Sequence, residues 1–332
     1  MTPHQLELSL LKDTVPALRY DGSIPFAQWQ KQAREKLAAL LGLPYEKPAD
    51  HIIMEYDRME PDFREIRFSI ESEKGYFVPC HLLIPKDASA PLPVVICLQG
   101  HSRGMHVSLG RKRFSDETSD GGDRDFALQA VREGYCALVM EQRGFGECGG
   151  TPEGPDCYLT AMTSLLTGRT MIGGRVWDIS RVIDALELHF PEADCSKIAC
   201  MGNSGGGTAT FYAACLEPRI KTAMPSCALC TFEGSIGAMF HCSCNYVPGI
   251  RKYFDMGDLG GLIAPRKLIA VCGREDEIFN INGAREAFAQ IQKLYHAAGA
   301  ADACAMIEGS GGHRFYAADA WPVFHRMFDD MQ

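Results

Sequence analysis

The chain has no excess of positive charge. Its 332 residues include 33 lysines and arginines against 42 aspartates and glutamates, a formal net charge of −9. Affinity for a nucleic-acid backbone or an anionic bilayer draws on clustered Lys and Arg, so neither is expected as a partner. No run approaches the roughly 20 apolar residues that a spanning helix needs. The first residues, Met1-Thr2-Pro3-His4-Gln5-Leu6-Glu7, have neither the basic nor the apolar segment of a secretory leader. Internal repeats and low-complexity tracts are also missing. These absences point to a soluble protein, expected in the cytoplasm, that meets a small neutral or weakly charged ligand.

Cysteine is not scarce. There are 14, dispersed along the chain. With no leader, they read as reduced thiols, and Cys97, Cys136, Cys200, Cys215 and Cys272 sit in apolar runs where a thiol packs as a small hydrophobe. Two local groups look like metal ligands, Cys227-x-x-Cys230 and His241-Cys242-Ser243-Cys244. Zinc sites generally need two such pairs closed into a tetrahedron. Apolar packing or pocket lining is the expectation for these residues, with no metal and no cofactor.

Hydrophobic residues make up 46% of the chain, enough for one large core over residues 1–332. Residues 1–60 read as a helical arm: Phe26–Leu41 places apolar groups at helical spacing and stops at Gly42. Arg64–Ile84 alternates like antiparallel strands. From about residue 92 the pattern changes. Short continuous apolar runs, Pro93–Leu98, Tyr135–Met140, Lys197–Met201, Ala223–Cys227, Lys267–Cys272 and Ala303–Ile307, are separated by helix-like segments at Asp125–Glu133, Val176–Leu188, Gly206–Cys215 and Gly283–Ala298. Such strands suit a parallel sheet covered on both faces. The fold class is therefore α/β, a mostly parallel doubly wound sheet with antiparallel N-terminal strands. Residues 229–262 break the rhythm and read as an insertion over the sheet's carboxyl edge, where α/β ligands bind.

The sharpest local signal is Gly202-Asn203-Ser204-Gly205-Gly206, a G-x-S-x-G between an apolar strand and a small-residue helix. In that setting the turn pushes the serine hydroxyl out above the sheet, over helix N-terminal amides that favour negative charge. A serine needs a base. The loop Gly273-Arg274-Glu275-Asp276-Glu277 follows one strand, and Gly311-Gly312-His313-Arg314-Phe315 follows the last. The order Ser204, Asp276, His313 is that of a nucleophile, an orienting acid and a general base, with Glu275 the second choice for the acid. The oxyanion hole is expected from the backbone N–H groups of Gly205 and of His101, in the loop Gln99-Gly100-His101. Arg143 is read as a clamp on neighbouring loops through carboxylates. Phe232, His241, Tyr246 and Phe254 of the insertion are the candidate pocket walls.

Taken as an ordered set, the Gln99-Gly100-His101 loop, the Arg143-Gly144-Phe145-Gly146 turn, the Ser204 elbow and the Asp276 and His313 loops resemble the α/β-hydrolase superfamily. Within it they resemble the acetyl xylan esterase, cephalosporin-C deacetylase and dienelactone-hydrolase-like branch over about residues 75–332. Where that branch carries His-Gly and R-G-Q, this chain has Gln99-Gly100 and Arg143-Gly144-Phe145. The resemblance implies an α/β-hydrolase fold, a Ser–His–Asp triad without cofactor, and removal of acetyl or other short acyl groups from a carbohydrate or small alcohol. A homo-oligomer is compatible with it. Dienelactone hydrolases use a cysteine where this chain has Ser204. The alternatives are a dienelactone-hydrolase-like enzyme, a prolyl-oligopeptidase-like peptidase, for which the chain lacks the length of a propeller, and a non-catalytic scaffold.

Overall fold

A computed structural model describes residues 1–88, 91–117 and 123–329. Two helices open the chain, α1 (Pro3–Asp13) and α2 (Phe26–Leu41). The second buries Trp29, Ala33, Leu37 and Leu41, one residue per turn, and ends at Gly42 with φ 77°, the left-handed stop that a residue without Cβ adopts at low cost. Three antiparallel strands follow: β1 (Ile52–Met59), β2 (Phe63–Glu73) and β3 (Tyr76–Pro85).

The expectation of a helical arm through residue 60 therefore fails at 52–59. This segment is mostly exposed, so a buried apolar stripe does not mark its period. What fixes it is the edge of β2 and a cluster of charge: Arg58 Nη2 donates to the buried Glu65 Oε2 at 2.8 Å, and Tyr56 Oη donates to Glu65 Oε1 at 3.2 Å.

The rest alternates as expected, in the order β4 (Leu92–Leu98), α3 (Phe126–Arg132), β5 (Cys136–Met140), α4 (Tyr158–Leu166), α5 (Met171–His189), β6 (Ala193–Asn203), α6 (Gly205–Leu216), β7 (Ile220–Ser226), α7 (Met256–Gly260), β8 (Lys267–Gly273), α8 (Ile281–Ala297), β9 (Cys304–Gly309) and α9 (Ala317–Phe328). The strands join in one sheet of order β1-β2-β3-β5-β4-β6-β7-β8-β9, parallel from β5 to β9.

Alternation across β4 divides the core. Val94, Ile96 and Leu98 face one layer with α2, α5, α6 and α8, while Val95 and Cys97 face α3 and α9, as the two-residue period of a strand requires. Both faces are covered, which is why these strands are apolar throughout. Residues 229–262 cross the carboxyl edge between β7 and β8 as turns, two short 3-10 segments (Ser243–Asn245, Ile250–Lys252) and α7. No helix among the described residues is long and apolar enough to cross a membrane.

Candidate active site

Ser204 lies in the turn between β6 and α6 with φ 54° and ψ −121°. A non-glycine residue rarely occupies that region, and such strain persists where the surroundings over-determine it. Here the close approach of the flanking segments does so. A Cβ on Gly202 would lie 2.6 Å from the Gly206 carbonyl carbon and 2.7 Å from Leu98 O, and one on Gly206 would collide with the carbonyls of Leu98 and Gln99. The amide of Ser204 is anchored on Ser226 O at 2.8 Å. The turn thus presents Ser204 at the sheet's carboxyl edge, and α6 begins immediately after it, so the Gly205 N–H has no acceptor within its own helix.

The acid and the base come from the loops after β8 and β9. His313 Nδ1 lies 2.9 Å from Asp276 Oδ2. The other carboxylate oxygen of Asp276, Oδ1, accepts the amides of Ile278 at 2.8 Å and Phe279 at 3.0 Å. The Asp276 side chain is fully buried. Burial pushes its pKa up, but the bond to His313, that group's charge and the two amides outweigh burial and hold the carboxyl below its ordinary value. An ionised carboxylate on Nδ1 fixes the tautomer with its lone pair on Nε2. That Nε2 is buried and has no hydrogen-bond partner among the described residues.

Glu275 and Glu277, the rival acids, are exposed. The Cys227 thiol sits beside the Asp276–His313 pair, but burial, reinforced by the Asp276 charge, pushes its pKa up to about 12, which leaves it a poor nucleophile at neutral pH.

Ser204 and His313 line one cavity of about 410 Å³ together with Gln99, Gly100, His101, Ser102, Val107, Asn203, Arg124 and Arg314. His101, expected as an oxyanion donor through its main chain, is therefore at the site. Its ring packs edge-on against Phe145 at 5.2 Å and brings Nε2 to 3.2 Å from Cys244 Sγ. Burial pulls its pKa down, but hydrogen bonding with Cys242 and Cys244 raises it to about 9. Below the loop, Glu141 Oε1 accepts from Gln99 Nε2 at 2.6 Å and Oε2 accepts from Met105 N at 3.1 Å. Burial raises the Glu141 carboxyl to about 7.

The structure separates the four residues expected as pocket walls. Phe232 and Tyr246 line a different cavity, of about 460 Å³, together with Leu10 and Leu11 of α1. Phe254 is fully buried in the main core. They are drawn away because α1 lies over the insertion and gives its apolar side chains a nearer partner than the catalytic cleft. His241 does not line the catalytic cavity, although its ring meets Phe279, which stacks on His313. The polar lining that does surround Ser204, namely Gln99, Ser102, Asn203, Arg124 and Arg314, was not singled out from the sequence; position in the loops after β4, β6 and β9 is the signal that could have found most of it.

Arg143 clamps as expected. It donates to Asp178 Oδ2 at 2.7 Å and to Glu73 Oε1 at 2.7 Å, tying the turn after β5 to α5 and β2. Cys230 packs in the main apolar core, and Cys244, with Cys242 against it, in a smaller apolar cluster, as expected. Cys227 and Cys230 do not join the 241–244 group. Cys242 and Cys244 instead meet His101 and Cys157, with the four donor atoms within 4.8 Å of one another.

The model of the Abhydrolase family matches residues 5–158, a span that includes the Gln99-Gly100-His101 loop and ends before the turn at Ser204. Hydrolase YtaP of Bacillus subtilis, provisionally assigned, is 25% identical over 286 residues, covering 85% of this chain and 93% of that protein. Among solved structures, a provisionally assigned acetyl xylan esterase of Bacteroides fragilis superposes with a TM-score of 0.78 at 17% identity, covering 98% of this chain and 89% of the other. A glucuronoyl esterase of Solibacter usitatus superposes with a TM-score of 0.70 at 15% identity, covering 95% and 97%. The chain has the α/β-hydrolase fold.

Proposed function

We propose that this chain is a serine carboxyl-ester hydrolase that removes acetyl or other short acyl groups from a carbohydrate or small alcohol. The observation that carries the reading is the conjunction of a serine held at positive φ on a strand–helix turn with His313, which lines the same cavity and is held from behind by the buried Asp276. His313 Nε2 takes the Ser204 proton as Oγ attacks the ester carbonyl carbon. The N–H groups of Gly205 and His101 receive the negative charge on the carbonyl oxygen. His313 then passes its proton to the departing alkoxide, and the alcohol leaves an acyl-Ser204. Water, deprotonated by His313, attacks the acyl carbon, and His313 returns that proton to Ser204 Oγ as the acid leaves. Asp276 keeps the imidazole in the required tautomer and stabilises its cationic form.

The finer statement about substrate rests on the cavity. About 410 Å³ lined by amide, hydroxyl and guanidinium groups suits a short acyl group on a hydroxylated alcohol better than a long alkyl chain. The fold neighbours, an acetyl xylan esterase assignment and a glucuronoyl esterase, support a carbohydrate ester. Hydrolysis of p-nitrophenyl esters from acetate to octanoate, with acetylated xylose in parallel, tests both parts. The expected result is fastest turnover on acetate, decline with acyl length, and loss of both activities in Ser204→Ala. Equal rates in the folded Ser204→Ala protein would refute the mechanism, and a preference for octanoate would refute the substrate class.

A further inference from the structure

Three chain segments distant in sequence bring four soft donor atoms together at the His101 loop. His101 follows β4, Cys157 precedes α4, and Cys242 and Cys244 belong to the insertion over the sheet edge. Their ligand atoms all lie within 4.8 Å of one another. His101 Nε2 is 3.2 Å from Cys244 Sγ, and Cys244 Sγ is 3.3 Å from Cys242 Sγ. We propose that His101 Nε2 and the thiolates of Cys157, Cys242 and Cys244 form a closed tetrahedral site for a zinc-class divalent ion that fixes the oxyanion loop.

Three thiolates and one imidazole are a donor set of structural zinc. With metal–sulfur bonds of about 2.3 Å and a metal–nitrogen bond of about 2.0–2.1 Å, a tetrahedron has edges of about 3.5–3.8 Å. The His101–Cys244 and Cys244–Cys242 separations need lengthen by only a few tenths of an ångström, and the other pairs lie within 4.8 Å.

Charge supplies a separate argument. Arg175 is fully buried, and no carboxylate among the described residues pairs with it. Its guanidinium donates to the Arg143 carbonyl at 2.8 Å, to Cys244 Sγ at 3.4 Å and to Cys157 Sγ at 3.5 Å. An isolated buried cation is costly. A divalent ion with three thiolates carries one net negative charge, and Arg175 brings the sum to zero while its N–H groups bond to the ligating sulfurs, as groups around a metal site commonly do. Phe145, Ala161 and Met171 close an apolar shell around Cys157 and Cys244.

All four positions come from the protein, so the ion holds structure and leaves no place for substrate. Its leverage on the chemistry passes through the His101 ring. A Cβ on Gly205 would lie 2.7 Å from His101 Nδ1 and Cε1, so the ring abuts one oxyanion residue and belongs to the other. The metal site stands on its own geometry; its effect on turnover rests on the esterase reading.

The test is metal analysis of the full-length protein, purified without a metal-affinity step, together with its cobalt(II)-substituted form. The expected result is about one zinc per chain and a cobalt(II) spectrum with thiolate charge-transfer and strong tetrahedral d–d bands. Both are lost in Cys157→Ser and Cys244→Ser and kept in the remote Cys195→Ser. If the ligand variants fail to fold, the wild-type metal content and spectrum decide. Wild type that takes up neither zinc nor cobalt(II), or that shows a disulfide among Cys157, Cys242 and Cys244 on intact-mass analysis, overturns the proposal. Zinc binding without ester hydrolysis would leave this site standing and remove the esterase reading, and hydrolysis without metal uptake would do the reverse.

Discussion

At Asp276 one carboxylate oxygen holds the His313 imidazole and the other accepts two backbone amides, so the residue cannot be exchanged for its amide without changing what His313 receives. In Asp276→Asn the side chain keeps its shape, but an amide N–H or a neutral oxygen faces Nδ1, and the imidazole tautomer is no longer imposed. The expected fall in kcat is about 10⁴-fold with an unchanged circular dichroism spectrum, measured on p-nitrophenyl acetate. Glu275→Gln, at an exposed position, should change kcat by less than about twofold.

Glu141 allows a pH prediction. Burial raises its carboxyl from 4.5 to about 7, so the folded state holds a proton that the unfolded state releases. Its contribution to stability is complete below the unfolded value and is lost as pH rises through the folded one. Relative to Glu141→Gln, the wild type should lose up to about 3 kcal/mol between pH 4.5 and about 7, read from urea unfolding at several pH values. A parallel pair of curves would contradict it.

The proposed triad is legible at this scale because chain order and strand ends are sequence properties. The choice among Glu275, Asp276 and Glu277 rested on preference until burial and hydrogen bonds separated them. The meeting of His101 with Cys157 was not legible, because nothing in a linear pattern reports which loops converge.

The strand–turn–helix around Ser204 works as one element. Gly206→Ala places a methyl group against the carbonyls of Leu98 and Gln99, and neither can move without displacing β4. The expected cost is about 1–3 kcal/mol, seen as a lower urea midpoint, with loss of ester hydrolysis because the adjacent Gly205 amide shifts.

The clamp at Arg143 belongs to the same scale. Asp178 is wholly buried and Arg143 nearly so, so Arg143→Ala leaves an uncompensated carboxylate at a cost of about 3–5 kcal/mol. Arg143→Ala combined with Asp178→Asn should recover part of that in chemical unfolding; a double variant no more stable than the single one would show that the pair is not what holds the turn.

Elements with a strong internal period were readable: α2 through its apolar stripe and Gly42, and β4 to β9 through continuous apolar runs. β1 was not, since charge pairing on an exposed edge leaves no apolar rhythm. α4 and α9 carry no such signal either. The first is short and largely exposed, and the second carries Pro322 inside the helix, a residue that reads as a breaker.

Across the whole molecule, the parallel sheet gathers the loops after β4, β6, β8 and β9 at one edge, and each delivers one part of the proposed site: His101, Ser204, Asp276 and His313. The insertion crosses the same edge, but its aromatic residues answer to α1 and the core rather than to the cleft, which is why composition alone misassigned them. The central claim is that Ser204 is an activated nucleophile. Reaction of the folded chain with a fluorophosphonate probe, followed by peptide mass spectrometry, tests this most directly. The account predicts a single adduct on Ser204, absent in Ser204→Ala and strongly slowed in Asp276→Asn. A folded wild type that stays unlabelled, or labelling that persists in Ser204→Ala, would contradict it.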